Sequence, residues 1–356
     1  MDHIIADPDQ LRSFAAKLLV SAGIPEQHAT AVANHMTWAD THGRGNYGVW
    51  RLPILCKRAE AGLFETTADP SIVRVTQSLA IVDGHNAIGH LVATVASDVA
   101  IEMAATAGVG VVAVRASNFM GALGYYADRI AQRDMIALIF SNSHPRVAAH
   151  GGTAPVLGTN PLAFAAPRGR GRTVIVDMAT AAAPGSLFTK AAELGEPLPE
   201  GLAVDRDGAP LRDASRVNEG AVLPMAGAKG FGLGLMVEIL AGVLTGAGVS
   251  HGVHSMYKDF DNPGDSGHMI IALDIASLIE RTDYENRMEL LDRILLESGD
   301  VRIPGDGRQR AWQETLDRGG VELDAATAKA LEVLAAQNGI PVPWQPRAAT
   351  ERADSL

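Results

Sequence analysis

The chain has 356 residues, 47% of them hydrophobic, a net charge of −11 and a single cysteine, Cys56. That length supports a sizeable core, in one large domain or in two to three smaller ones. The acidic balance repels nucleic-acid phosphates and anionic membrane surfaces, so neither is an expected partner; one cysteine excludes an intrachain disulfide and fits a reducing, cytoplasmic setting.

No basic and then apolar run follows Met1-Asp2-His3, so no signal peptide is expected. Asp7-Pro8 reads as a helix start. Leu11, Phe14, Ala15, Leu18 and Leu19 then recur at helical spacing up to Gly23. Further helices are expected over 25–40 and 48–62. From about residue 70 the period shortens. Ile72-Val73-Arg74-Val75 and Leu79-Ala80-Ile81-Val82 read as strands, followed by a helix over 88–107. Apolar runs at 109–114, 135–140, 162–165 and 173–176 suit the strands of a buried sheet. The Gly-, Pro- and Asp-rich stretch 195–222 reads as loops. A long apolar helix from Lys229 to Thr245 follows. Glu238 and several glycines interrupt it, which argues for a core helix over a membrane span. His268 to Asp274 is a strand, and Asp324 caps a last helix that ends at Gly339. The expected organisation is a discontinuous, mostly helical domain (1–70 and 225–345) around a sheet-containing domain (71–224), with a loose tail at 346–356.

Several motifs invite a functional reading. Gly43-Arg44-Gly45-Asn46-Tyr47-Gly48 matches G-x-G-x-x-G, but a helix precedes it where a dinucleotide fingerprint needs a strand. A tight loop between helices is the better reading. His251 and His254, near Asp259 and Asp261, lack a rigid element to preset metal ligands, and no metal is expected. The run Arg168-Gly169-Arg170-Gly171-Arg172 reads as an exposed turn between strands. Leu157-Gly158-Thr159-Asn160-Pro161 and Asp177-Met178-Ala179-Thr180 read as strand-end turns. Gly227-Ala228-Lys229-Gly230 places a cation at the positive end of a helix dipole, which suggests a compensating anion such as a cofactor phosphate.

The segment from Ser117 to Tyr126, Ser-Asn-Phe-Met-Gly-Ala-Leu-Gly-Tyr-Tyr, closely resembles Ser-Asn-His-Phe-Gly-Ala-Ala-Gly-Tyr-Tyr of the malate/L-lactate dehydrogenase-like oxidoreductases. Ordered matches run from about residue 8 to 340. They include Arg51-Leu52-Pro53, Val82-Asp83-Gly84, Gly151-Gly152, Leu157 to Pro161, Asp177 to Thr180, Pro224, Lys229-Gly230, Gly267-His268 and Pro304-Gly305. The resemblance implies an α/β (α+β) fold: a non-Rossmann three-layer sandwich with a mixed, mostly antiparallel sheet, plus a helical domain, in a homodimer. It also implies NAD or NADP as cofactor, and hydride exchange with a 2-oxo acid, a 2-hydroxy acid or a cyclic imino acid. Carried over residue by residue, the cofactor contacts fall on Ser141, Ser143, Asp177, Met178, Ala179, Thr180, Lys229, Pro304 and Gly305.

The departures fall where substrate and cofactor are held. The family's histidine falls on Phe119. Its loop, Gly-His-Asp-Ser-His-Gly-Val-x-Arg, falls on Gly43 to Arg51, so that its two histidines become Arg44 and Tyr47, its Asp becomes Gly45 and its Ser becomes Asn46. The usual Arg-Gly-Lys falls on Gly185-Ser186-Leu187. Arg44, Asn46, Arg51 and Phe119 are therefore the expected substrate contacts. Tyr47 is the expected acid, because Arg44 and Arg51 supply charge that makes a phenol more acidic; a packed loop aromatic is its bland alternative. Arg51 alternatively clamps a carboxylate. His144 and His150 are replacement proton sources. An imine substrate is a further option, since an iminium arrives already protonated. A nucleotide-binding protein without turnover and a purely structural homodimer are the competing expectations. The choice between NAD and NADP turns on whether Arg168, Arg170 or Arg172 reaches a ribose 2′-phosphate.

Overall fold

The computed structural model describes residues 4–169 and 171–344. The expected loose tail at 346–356 and Arg170 lie outside the described residues. In chain order the chain forms β1 (Ile4–Ala6), α1 (Pro8–Ser21), α2 (Glu26–Thr41), α3 (Leu52–Glu60), β2 (Ser71–Arg74), β3 (Leu79–Asp83), α4 (Gly89–Ala107), β4 (Val109–Ser117), α5 (Leu123–Ala131) and β5 (Met135–Ser141). It continues through β6 (Val147–Ala148), β7 (Pro155–Leu157), β8 (Leu162–Pro167), β9 (Thr173–Met178), α6 (Gly185–Leu194), β10 (Ala203–Val204), β11 (Ala221–Val222) and α7 (Ala228–Glu238). Last come β12 (Ser266–Asp274), α8 (Arg281–Glu297), α9 (Asp306–Arg318), β13 (Val321–Leu323) and α10 (Ala325–Gln337).

The chain divides into two compact units, one from residues 1–57 and 310–356, the other from 58–309. These divisions differ from the expected boundaries at 70/71 and 224/225. The reason is β12, which lies in the middle of the main sheet although the sequence around it reads as helical.

The first unit is built on local signals. The Asp7 carboxylate accepts the N–H groups of Asp9 and Gln10 at 3.0 and 2.9 Å, and Pro8 opens α1. Leu11, Phe14, Ala15, Leu18 and Leu19 bury one stripe of that helix, as their spacing requires. β1 pairs antiparallel with β13. Asp324 caps α10 by accepting the Thr327 N–H at 2.7 Å. Buried Cys56 donates weakly to the Leu18 carbonyl and acts as a packing residue.

The second unit holds a seven-stranded sheet in the order β2-β3-β4-β12-β5-β8-β9. Only β3 and β4 run parallel; every other adjacent pair is antiparallel. Alternation along β4 decides what each face meets. Val112 and Val114 join Val92, Ala96, Tyr126 and Ile130 of α4 and α5 in one core. Val111 and Ala113 point the other way, toward a core with Val237 and Ala241 from α7 and the turn after it. Both faces are thus covered by helix, which is why these strands read as continuous apolar runs. A smaller sheet, β10-β11-β6-β7, packs with Phe188 and Ala191 of α6. The stretch 195–222, expected to be loops, contributes β10 and β11 to it. The long helix expected from Lys229 to Thr245 is α7 followed by a π-turn over Ile239–Val243.

Candidate active site

In the first unit the predicted substrate loop leaves α2 and passes through two short 3-10 turns, Gly45–Tyr47 and Val49–Arg51. His42 is stacked between Trp38 and Trp312, with centroid separations of 4.6 and 5.3 Å, and so fixes where the loop begins. Its other end is tied to α2 by Asp40, whose carboxylate accepts the Val49 N–H at 2.9 Å. A Cβ on Gly48 would sit 1.7 Å from Asp40 Oδ1, so only glycine allows this approach. Burial raises the Asp40 carboxyl to about 7 against the opposing pull of the Val49 N–H.

Arg51 is 8% exposed. It donates to the Asn46 carbonyl at 2.7 Å, and its guanidinium carbon lies 5.4 Å from the Tyr47 ring centroid and 4.8 Å from that of Trp50. Burial lowers Arg51 to about 10, while the Tyr47 phenol favours its charge. Arg44, Asn46 and Tyr47 are half-buried in the same loop. The loop therefore gathers a phenol, two guanidiniums and a carboxyl. Asp40 was not singled out in the sequence, but a signal existed: an acid in the last turn of a helix faces the negative end of the dipole.

In the second unit Phe119 is half-buried and meets the fully buried His90 edge to face, at 5.7 Å between centroids. Asn118 anchors it. Its amide nitrogen donates to the Asn86 side chain at 2.8 Å and to the Ala87 carbonyl at 3.0 Å, and its oxygen accepts the Gly264 N–H at 2.9 Å. Ser141, at the end of β5, is buried and engaged within the sheet. Its hydroxyl lies 2.9 Å from His268 Nδ1, and His268 Nε2 lies 2.9 Å from the Ser117 hydroxyl. Burial lowers His268 to about 4, so this imidazole is a neutral link between two strands.

Of the remaining predicted cofactor residues of this unit, Ser143 and Thr180 come together, through Thr159 and with Met225. The Thr159 N–H donates to the Ser143 hydroxyl at 3.0 Å, the Thr180 N–H to the Thr159 carbonyl at 2.9 Å, and the Met225 N–H to the Thr180 carbonyl at 2.9 Å. The ends of β5 and β9, the turn before β8 and the start of α7 form one knot. Lys229 emerges from it, exposed, as the second residue of α7, with no hydrogen bond or ion pair among the described residues. Met178 is 39% exposed and Ala179 half-buried, while the Thr180 hydroxyl is spent on the Thr159 and Asn160 carbonyls. Asp177 is likewise spent: it accepts the Gly124 N–H at the start of α5 at 3.1 Å and pairs with Arg308 at 3.2 Å. Pro304 accepts the Ile175 N–H at 3.0 Å, and Gly305 holds φ +108°, with its missing Cβ directed at the Thr173 carbonyl.

The other candidates separate. His150 is exposed, and its Cε1 lies 3.5 Å from where a Gly227 Cβ would stand, beside the start of α7. His144 lines a separate cavity of about 400 Å³. His254 pairs with Asp259 at 2.9 Å, and no set of three metal-ligating side chains occurs among the described residues. The basic turn after β8 is not wholly exposed as expected. Arg168 is 2% exposed, bonded to Asp292 through both oxygens at 2.7 and 2.8 Å and to Asp306 as well. A cation so committed is not free for a cofactor phosphate. Arg172 is half-buried, 3.7 Å from Asp292.

The family model for malate/L-lactate dehydrogenase matches residues 6–332. The chain belongs to that family, and membership makes it an NAD(P)-dependent oxidoreductase. Among its relatives, the malate/(S)-sulfolactate dehydrogenase of Methanothermus fervidus is 34% identical over 96% of this chain and 100% of its own length. A Delta(1)-pyrroline-2-carboxylate/Delta(1)-piperideine-2-carboxylate reductase of Pseudomonas syringae pv. tomato is 31% identical over 92% of this chain and 95% of its own. The crystal structure of malate dehydrogenase from Entamoeba histolytica superposes with a TM-score of 0.89 at 26% identity, covering 96% of this chain and 100% of that one.

Proposed function

We propose that this protein transfers hydride between NAD or NADP and a small carboxylated substrate: a 2-oxo or 2-hydroxy acid, or a cyclic imino acid. The observation that carries the reading is the knot at Ser143, Thr159, Thr180 and Met225 with the exposed, unpartnered Lys229 above it. A cation held at a helix N-terminus calls for an anion, and a dinucleotide diphosphate is the anion that this family binds. Exposed Met178 and Pro304 and half-buried Ala179 would line the cofactor, while Asp177, Thr180, Ser141 and Gly305 hold the backbone that carries them. The nicotinamide, when bound, supplies the hydride. The protein's own task is to place the carboxylate and to handle the proton. Arg51, fixed by Asn46 and shielded from water, suits the carboxylate. Tyr47, in the same loop as that guanidinium, is the proposed acid; Arg44 and Asn46 of that loop and, separately, Phe119 are proposed substrate contacts. Since Phe119 brings no proton, a cyclic imine, protonated before it arrives, is the second reading; the relative named as a carboxylate-imine reductase favours it.

The arrangement is proposed to be a non-Rossmann three-layer sandwich with a helical domain, working as a cytoplasmic homodimer. The lone buried Cys56 supports the compartment. The exposed side chains of Leu235, Met236, Ile239, Val243 and Leu244 form an apolar stripe that a second copy would cover. No described helix is long and apolar enough to cross a membrane.

The test is a thermal-shift titration with NADH and NADPH, followed by turnover assays on 2-oxo acids and cyclic imines. A raised melting temperature with one nucleotide and oxidation of that nucleotide by at least one substrate are expected. A flat titration with both nucleotides refutes the redox reading, and binding without turnover refutes the hydride step.

A further inference from the structure

One acid interrupts the apolar run of α7, and the proposed chemistry leaves it unused. Glu238, the last residue of that helix, is 3% exposed. Both of its carboxyl oxygens accept: Oε2 takes the Asn160 amide at 2.7 Å and Oε1 the Ser250 N–H at 2.7 Å. No cation pairs with it among the described residues, and these donors offset its loss of water. Asn160 is fully buried and faces two ways. Its amide nitrogen donates to the Gly234 carbonyl of α7 at 3.0 Å as well as to Glu238, and its side-chain oxygen accepts the Ser143 N–H at 3.3 Å. Its backbone carbonyl accepts the Thr180 hydroxyl at 3.2 Å. Gly158 comes so near that a Cβ there would stand 2.2 Å from the Ser143 carbonyl and 2.5 Å from Asn160 Oδ1. Asn160 and Ser250 hold φ +33° and +53°, left-handed conformations that persist in residues with a side chain only where the surroundings fix them. A π-turn, a rare departure from helix that recurs at functional sites, begins at the residue after Glu238.

Asparagine suits this place because one amide both donates and accepts. Glu238 and the Gly234 carbonyl claim its nitrogen, which turns its oxygen to Ser143. The carboxyl thus ties the last turn of α7, the helix whose second residue is Lys229, to the ends of β5 and β9. We propose that Glu238 is a positioning residue for the cofactor, fixing through Asn160 where Lys229 stands relative to Ser143 and Thr180. It touches no reacting group, and its role rests on the dinucleotide reading. The coupling is reciprocal: a nucleotide that engages Ser143 and Lys229 also tightens the link from Glu238 to Ser250.

Two measurements on the full chain test this. The first titrates NADH and NADPH by quenching of tryptophan fluorescence, at a temperature where circular dichroism shows each variant folded. Glu238→Gln keeps one acceptor oxygen and leaves one of the two N–H donors unmet, so it should bind nucleotide about tenfold more weakly, the worth of one hydrogen bond to a charged group. The KM of the carboxylated substrate at saturating nucleotide should stay within about twofold of wild type. Asn160→Asp sets carboxyl against carboxyl and should weaken nucleotide binding about a hundredfold. Combining it with Glu238→Gln exchanges acid and amide, and should recover about tenfold of that loss. A purely structural staple would lower the melting temperature and leave the affinity of the folded protein alone. Equal affinity in folded Glu238→Gln, or no recovery in the double variant, therefore overturns the proposal. The second measurement needs no variant: nucleotide binding to the wild type should slow hydrogen exchange at the Ser250 N–H about fivefold or more. Unchanged exchange there overturns the proposal as well. If the wild type binds neither nucleotide, the dinucleotide reading fails and takes this role with it; wild-type binding with any of those negative results removes the role alone.

Discussion

Replacing Asp40 by Asn tests how the substrate loop is fastened. The asparagine oxygen can still accept the Val49 N–H, so the tie at 2.9 Å survives while the titration is removed. In the folded protein the carboxyl is raised to about 7 from an ordinary 3.8. Between those values the native state keeps a proton that the unfolded chain gives up. The unfolded state then binds fewer protons, so this group makes stability fall as pH rises from about 4 to about 7, and it adds nothing further above 7. A gap of about 3 pH units at about 1.4 kcal/mol each sets an upper bound of about 4 kcal/mol. Water that reaches the half-buried side chain reduces this to about 2 kcal/mol. Asp40→Asn should therefore equal the wild type near pH 4 and exceed it by about that amount at pH 8. Urea midpoints followed by tryptophan fluorescence, taken in half-unit pH steps, measure the difference. Two curves that stay parallel across the whole range would refute the argument, because the carboxyl would then be ionising normally.

Tyr47→Phe should lower kcat about a hundredfold, the usual share of a positioned acid, with the KM of the carboxylated substrate little changed; full turnover would remove Tyr47 from the mechanism. Lys229→Met should weaken NAD(P)H binding about tenfold or more with an unchanged melting temperature, read by quenching of tryptophan fluorescence; equal affinity would show that its ammonium meets no phosphate. Arg168→Met should destabilise the protein by about 3 kcal/mol, because it leaves Asp292, little exposed to water, with only the distant Arg172 guanidinium at 3.7 Å; a thermal unfolding midpoint within a degree of wild type would contradict that.

Much of the fold was legible because its signals are local. Asp7-Pro8 and Asp324 cap their helices through contacts within three residues, and the apolar runs at 109–114 and 135–140 suit buried strands, which they form with both faces covered. The site was legible as far as composition goes. Lys229 stood out as a cation against a helix dipole, and Phe119 and Tyr47 as side chains where the family carries imidazoles. Burial and partnership were not legible. Asp177, Thr180 and Ser141 look in sequence like polar groups offered to a ligand, yet their side chains are consumed by Arg308, by the Thr159 and Asn160 carbonyls and by His268. Arg168 reads as a solvated turn residue and is instead enclosed by two carboxylates more than a hundred positions away.

What the sequence determined by itself is therefore periodicity, capping and residue chemistry, since these depend on neighbours a few positions apart. The tertiary structure alone decided that β12 enters the centre of the sheet, that Asp40 meets the bare Cα of Gly48, and that His144 and Lys258 line one cavity. Each of these is a pairing of distant segments, and the free energy of such contacts depends on which groups lose water together, a property that no short stretch of chain carries.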